Sequence, residues 1–262
     1  MTKFAIIVPC FNEESRLDLT YWRRVMAENP DCTWLFVDDG SKDNTIEKLE
    51  IIAKGDSNLV LPLSKNMGKA EAIRLGILHL LSRESNFEWI GYLDSDGAFS
   101  TQDIHALVRL CDEKLGIDAS KTIDVVIASR VALAGRKVKR NARRHYLGRI
   151  IATVVCRNWS ESPYDTQSGY KIFANSQYFE EAIQNPFRTQ WFVDIELITR
   201  IGLIKPTPLI IWEEPVTTWQ DVAGSKLNFR DYFKILMEAR IARSRVKRLI
   251  DHQKGPGLHG PN

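Results

Sequence analysis

Two carboxylates one residue apart, Asp94 and Asp96, close the apolar run Trp89-Ile90-Gly91-Tyr92-Leu93. Acids in that spacing at a strand end can hold Mg²⁺ or Mn²⁺ together with the oxygens of a diphosphate. The ion then offsets charge building on the departing group. Ser95 lies between the two, and Gly97 lets the backbone bend away. A solvated turn is the other use of the same residues. Two more acidic clusters follow apolar runs: Phe4–Val8 leads into Pro9-Cys10-Phe11-Asn12-Glu13-Glu14, and Thr33–Val37 into Asp38-Asp39-Gly40-Ser41. Ligands of open α/β sheets bind outside the carboxyl ends of the strands, so these clusters are expected to face one crevice. A carboxylate there accepts from a ribose hydroxyl or a base N–H, and Pro9 and Phe11 can flank a flat ring. Asp38 or Asp39 could instead cap the following helix, with Gly40 making the turn.

The elements that must position these residues are read from hydrophobic periodicity. Strands are expected at Phe4–Val8, Thr33–Val37, Asn58–Leu61, Trp89–Leu93 and Ile123–Ala128, with helical stretches near Arg16–Ala27, Asn44–Lys54, Lys69–Arg83 and Gln102–Leu115. Such alternation implies a mostly parallel sheet covered by helices. After Arg130 it breaks down. A basic, partly amphipathic stretch (Arg140 to Asn158) is followed by a strand near Tyr170–Phe173 and helices near Gln177–Ile183 and Val193–Gly202. A strand near Leu209–Trp212 then leads into a long helix, about Phe229 to Ile250.

A chain of 262 residues with 44% hydrophobic and 26% charged content suits one large soluble domain. No run approaches the roughly 20 apolar residues of a membrane span, and no signal peptide is recognised. Cys10, Cys32, Cys111 and Cys156 are scattered, which suggests reduced thiols rather than zinc or disulfides. The net charge of +3 is unevenly spread. Arg136 to Arg149 holds seven Lys/Arg and no acid, and Lys226 to Arg248 holds eight against Asp231 and Glu238. An acidic body with two basic segments suits an anionic partner or surface. Dinucleotide, P-loop and nucleophile-elbow signatures are lacking, and no nucleic-acid recognition motif accompanies the charge.

The strings Pro9-Cys10-Phe11-Asn12-Glu13-Glu14, Asp38-Asp39-Gly40-Ser41-Lys42-Asp43-Asn44-Thr45, Asn66-Met67-Gly68-Lys69, Asp94-Ser95-Asp96-Gly97-Ala98 and Ala128-Ser129-Arg130 together resemble the GT-A-fold inverting glycosyltransferases of the large family 2 type. Asp165-Thr166-Gln167-Ser168-Gly169-Tyr170-Lys171-Ile172-Phe173, Phe192-Val193-Asp194-Ile195-Glu196-Leu197 and Gly224-Ser225-Lys226 are similar to its dolichyl- or polyprenyl-phosphate glucosyltransferase and mannosyltransferase branch. The resemblance implies an α/β GT-A fold, with a Rossmann-like nucleotide-binding half and an acceptor half. It implies that Pro9, Phe11, Glu13, Asp38 and Asp39 line a nucleoside pocket. Asp94 and Asp96 would form the metal and ribose-diphosphate site, with Ser95 between them. Gly68 and Lys69 would stand near the donor, and Arg130 beside phosphate. The Asp165-to-Gly169 loop, with Gln167 and Ser168, would close over sugar and acceptor. Ala98 stands where mannosyl-transferring members often carry Gln, which favours a UDP-glucose-like donor.

The implied reaction is metal-dependent inverting transfer of a hexose from a nucleotide sugar to polyprenyl phosphate, with Mg²⁺ or Mn²⁺ as cofactor. A phosphate acceptor is ionised at neutral pH and needs no strong base, whereas a sugar hydroxyl does. Asp165, Asp194 and Glu196 are the candidates for that role, the last two alternatively as orienting acids near the start of a helix. The cationic run containing Arg143 and Arg144 precedes an apolar face (Leu147, Ile150, Ile151, Val154, Val155), a combination suited to a lipid phosphate at a membrane surface. Transfer to a glycan hydroxyl and a non-catalytic nucleotide-sugar binding module are the alternatives. The expected organisation is a GT-A domain over 1–225, a basic amphipathic helix over 226–254 and a disordered tail over 255–262. The expected location is cytoplasmic, peripheral on the inner face of the membrane.

Overall fold

The computed structural model describes residues 3–55, 58–83, 86–114, 123–140, 142–220 and 229–253, with the side chains of 114, 142–147 and 229–232 outside that description. The first half runs β1 (Phe4–Cys10), α1 (Leu19–Glu28), β2 (Cys32–Asp38), α2 (Thr45–Ile52), β3 (Leu59–Pro62), α3 (Lys69–Leu81), β4 (Trp89–Leu93), α4 (Thr101–Lys114) and β5 (Val125–Ser129). The second half runs β6 (Lys137–Lys139), α5 (Ala142–Val155), β7 (Tyr170–Ala174), α6 (Gln177–Ile183), α7 (Val193–Ile204), β8 (Ile211–Pro215), β9 (Thr218–Gln220) and α8 (Phe229–Gln253).

Seven strands form one sheet in the order β3-β2-β1-β4-β7-β5-β8. All neighbours pair in parallel except β7, which lies antiparallel between β4 and β5. β1 and β2 are buried along their whole length, as parallel strands covered on both faces must be. The pleat divides β1 between two cores. Phe4, Ile6 and Val8 pack with Trp22 of α1, Leu49 of α2 and Ile104 of α4. Ala5 and Ile7 pack with Ile73 and Ile77 of α3, Ile198 of α7 and Val246 of α8. Alternating side chains therefore feed a helical layer on each face. Trp22 meets Phe36 edge-on at 5.2 Å and Trp34 at 6.0 Å, a favoured aromatic geometry.

The chain order runs outward from β1 to β3 on one side and resumes with β4 on the other, so the topological switch falls between β1 and β4. That is where open α/β sheets bind ligands. Because β7 is antiparallel, its beginning rather than its end reaches this edge, which brings the loop before Tyr170 beside the end of β4.

The expected elements are present, with two informative differences. α1 starts at Leu19 rather than Arg16, because Asp18 caps it by accepting from the N–H groups of Thr20 (2.8 Å) and Tyr21 (3.1 Å). The β6–β9 ribbon was not anticipated; its three-residue strands are too short to show a period. The four cysteines are buried and free. The 225/226 boundary, Gly224-Ser225-Lys226 and the 255–262 tail lie outside the described residues.

Asp124 fastens the far edge of the sheet. Its carboxylate accepts from Lys205 Nζ at 2.7 and 2.6 Å and from the Ile210 N–H at 2.8 Å. Removing one partner of such a poorly exposed pair strands the other. Asp124→Ala is therefore expected to lower unfolding free energy by about 3 kcal/mol, read by urea denaturation at neutral pH.

Candidate active site

A cleft of about 290 Å³ opens at the switch point, lined from β1 and the turn after it by Pro9, Cys10, Phe11, Glu13 and Arg16, and from elsewhere by Asp39, Asn66, Gly68, Lys69, Asp94, Ser95 and Asp96. Nine of the expected site residues meet there. Asp38 does not reach it. Its carboxylate is buried and accepts from the Ser41 N–H (3.3 Å) and hydroxyl, so Asp38 forms the turn beneath the cleft. Asp39 faces the cleft and also clamps its rim, accepting from the N–H groups of Met67 (2.6 Å) and Gly68 (2.8 Å). Gly68 precedes α3 with φ +89°, a conformation that side-chain-bearing residues rarely adopt.

Asp94 ion-pairs with Lys69 and accepts no room for a side chain opposite it. A Cβ on Gly169 would collide with the Asp94 carboxylate, while the Asp94 N–H donates to the Gly169 carbonyl at 2.9 Å. Burial, then the neighbouring Asp94 charge, raises the Asp96 pKa. Two carboxylates in mutual repulsion suit a hard divalent cation that completes its shell with substrate phosphate and water. Among the described residues no group of three or more His, Cys, Asp or Glu could hold a metal ion.

Behind this edge lies a polar floor in which the sequence pointed to a role for Asp194 but none for Lys171 or Tyr92. Lys171 is fully buried, at 2.8 Å from Asp194 Oδ1, and Tyr92 donates its hydroxyl to the same carboxylate. Burial drives the Lys171 ammonium pKa down and pushes the Asp194 carboxyl up to about 7. The clue in the sequence was a lysine within the strand Tyr-Lys-Ile-Phe, since buried lysines need a partner. Arg16, pairing with Glu13 at the cleft, was also missed.

The other candidate bases are committed elsewhere. Asp165 grips Arg130, accepting from its N–H (2.9 Å), Nε (2.7 Å) and Nη2 (2.8 Å). Burial alone would raise the Asp165 pKa, but Arg130 and Arg140 hold it at about 2. The Arg130 guanidinium also lies 5.0 Å from the Trp219 ring and donates to the Gln167 carbonyl at 2.9 Å, so it braces the 165–169 loop. Glu196 is fully buried. It accepts from the N–H groups of Arg188 and Thr189 and pairs with Arg200 and Arg245. Gln167 is exposed and donates to the Trp191 carbonyl at 3.3 Å. Ser168, expected near an acceptor, is turned inward and donates to the Ala128 carbonyl. Arg143 and Arg144 have side chains outside the described residues.

A model described as glycosyl transferase family 2 matches residues 5–131. The chain is 30% identical over 260 residues to the dolichyl-phosphate β-glucosyltransferase ALG5A of Trichomonas vaginalis, covering 96% of this chain and 74% of that protein. The chain belongs to glycosyl transferase family 2. Dolichyl-phosphate β-glucosyltransferase of Homo sapiens is 28% identical over 244 residues, 86% of this chain and 69% of that one, so this family 2 enzyme falls with that branch, as the second-half strings implied. Its fold is that of glucosyl-3-phosphoglycerate synthase from Mycobacterium tuberculosis, solved with Mn²⁺, UDP-glucose and phosphoglyceric acid, at TM-score 0.59 and 17% identity over 93% of this chain and 79% of that one. Mannosyltransferase PcManGT from Pyrobaculum calidifontis, solved with GDP-mannose and Mn²⁺, matches at TM-score 0.60 and 13% identity over 96% and 68%. The chain is thus a glycosyltransferase with a GT-A fold.

The depressed Asp165 pKa sets a pH signature. A carboxylate held below its ordinary 3.8 contributes stability that is full above the unfolded value and is lost as pH falls toward the folded one. Asp165→Asn should cost about 3 kcal/mol at pH 7. The gap to the parent protein should narrow between pH 4 and pH 2, which urea melts at both ends would reveal.

Proposed function

We propose that this glycosyltransferase moves glucose from UDP-glucose onto a polyprenyl phosphate at a membrane surface, with inversion and with Mg²⁺ or Mn²⁺ held by Asp94 and Asp96. The observation that favours a phosphate over a hydroxyl acceptor is the state of the three candidate bases. Asp165 is locked on Arg130, Glu196 on two arginines and two peptide N–H groups, and Asp194 on Lys171 and Tyr92. A hydroxyl nucleophile needs such a group free to take its proton; a phosphate oxygen does not.

In this reading Pro9 and Phe11 flank the base, and Asp39 offers a carboxylate to its N–H or to a ribose hydroxyl. Lys69, beside Asp94, holds the diphosphate edge as a cation. The bound ion supplies charge neutralisation for the departing nucleoside diphosphate. The acceptor oxygen attacks the anomeric carbon from the face opposite the leaving group, so the C1–O bond to UDP breaks as the new one forms and no enzyme-bound glucose arises. Tyr92, Lys171 and Asp194 hold β4 against β7, and thereby Asp94 against the 165–169 loop.

The membrane seat rests on helices α5 and α8, where Ile150, Val154, Phe233, Leu236 and Met237 stand 59% to 74% exposed. Among the described residues no helix is long and apolar enough to span a bilayer, so attachment by these helices would be peripheral. Arg143 and Arg144 are proposed as the cations for the lipid phosphate on sequence grounds.

Purified protein with Mn²⁺ and a panel of nucleotide sugars is expected to release UDP from UDP-glucose at least tenfold faster when polyprenyl phosphate is supplied than when a glycan hydroxyl is. Asp96→Asn should lower kcat/KM about 100-fold, the usual scale for losing one group that stabilises transition-state charge. Equal transfer to the hydroxyl acceptor would refute the phosphate reading, and full activity in Asp96→Asn the metal role.

A further inference from the structure

The segment 188–191 hangs by four consecutive peptide N–H groups from two carboxylates. Glu196 of α7 takes Arg188 (3.0 Å) and Thr189 (2.9 Å), and also the Thr189 hydroxyl at 2.8 Å. Glu238 of α8 takes Gln190 (2.8 Å) and Trp191 (2.7 Å) through one oxygen. α8 also reaches the first carboxylate, since Arg245 pairs with Glu196 at 2.8 Å.

What the segment carries matters for the site. The Gln190 amide lies over Gly68, 3.7 Å from where a Cβ would stand, and Gly68 lines the donor cleft. The Trp191 carbonyl accepts from Gln167 of the 165–169 loop at 3.3 Å. The segment therefore bridges the donor rim and the loop facing the acceptor, and α8 is one of its two supports.

The same turn of α8 faces outward with Phe233, Leu236 and Met237, which have among the highest exposures of the large apolar side chains. Lys234 and Arg240 flank them and are exposed. An apolar turn edged by cations matches the surface of an anionic bilayer, where acyl chains take the apolar groups and headgroups the charges. Glu238 follows Met237 directly, so a change in how that turn is seated can reach the segment through the Glu238 side chain.

We propose that Glu238 couples seating of α8 on an anionic phospholipid bilayer to ordering of the 188–191 segment, which steadies the wall between donor and acceptor. This rests on the reading that the acceptor is carried by a membrane lipid. Glu238 is a positioning residue: it acts through the backbone of Gln190 and Trp191.

The test is hydrogen–deuterium exchange of the full chain over a peptide spanning 188–192, with and without vesicles of mixed phosphatidylglycerol and phosphatidylcholine. Exchange at these amides reports local opening directly. The parent protein is expected to float with the vesicles and to exchange at least fivefold more slowly when bound. Glu238→Ala should float equally well and show no slowing, with Glu238→Gln, which keeps one acceptor oxygen, in between. Leu236→Asp/Met237→Asp should neither float nor slow while keeping the parent circular dichroism. Failure of the parent protein to float, slowing absent from the bound parent, or slowing undiminished in Glu238→Ala would each overturn the coupling. Turnover of polyprenyl phosphate in the same preparations separates the two claims. Turnover without slowing removes the coupling alone, and slowing without turnover removes the lipid-phosphate acceptor alone.

Discussion

Asp94 and Asp96 are held side by side at the end of β4, where burial and the charge of Asp94 together work against ionisation of Asp96. Left to itself such a pair would separate or take up a proton, because like charges brought out of water repel strongly. The surrounding structure prevents the first. The Asp94 N–H is tied to the Gly169 carbonyl, the Gly169 position leaves space only for a hydrogen, and Lys69 supplies an opposite charge in contact with Asp94. The sheet order does the rest, since the switch between β1 and β4 brings the turn after β1 and the rim clamped by Asp39 to the same opening. An arrangement that keeps negative charge concentrated at a ligand crevice is poised for a cation and the anionic group that accompanies it.

A second use of carboxylates recurs throughout the chain. Asp38, Asp39, Asp103, Asp124, Glu196, Glu213 and Glu238 each accept from backbone N–H groups of a distant or turning segment. Charge-assisted bonds of this kind are stronger than neutral ones. They let loops without secondary structure stand at fixed positions around the cleft. The acidic body read from composition is thus partly turned inward, as clamps. Glu213 illustrates the effect: it takes the N–H groups of Tyr164 (2.6 Å) and Asp165 (2.8 Å), which sets the loop that Asp165 then locks on Arg130.

Much of this was legible in the residues. The apolar runs of β1, β2 and β4 are dense enough to mark buried parallel strands, and each ends in the acids that line the cleft. Local periodicity placed α3, α6 and α7 well because their apolar faces repeat over two turns or more. What escaped was set by pairing across long stretches of chain. The antiparallel insertion of β7 depends on neighbours far apart in sequence, such as Tyr92 and Lys171, 79 positions apart. Nothing near Ser168 tells that its hydroxyl turns to the Ala128 carbonyl. The Arg130–Asp165 pair was noticed as two separate site residues, because the spacing of 35 positions carries no sign that each is the other's partner. Asp38 and Asp39 are adjacent and identical in type, yet one builds the turn and the other faces the cleft; only the alternation of the strand they leave decides between them.

The central claim is that Asp94 and Asp96 together grip a divalent ion that in turn grips a nucleoside diphosphate. It is tested most directly by electron paramagnetic resonance of Mn²⁺, which reads the free ion, in titrations of the full chain with and without UDP. The account predicts that the protein depletes free Mn²⁺ strongly only when UDP is present, in one-to-one proportion, and that Asp94→Asn and Asp96→Asn each abolish the depletion while folding normally. Undiminished Mn²⁺ binding in both variants, or parent protein that leaves the ion free in the presence of UDP, would contradict it.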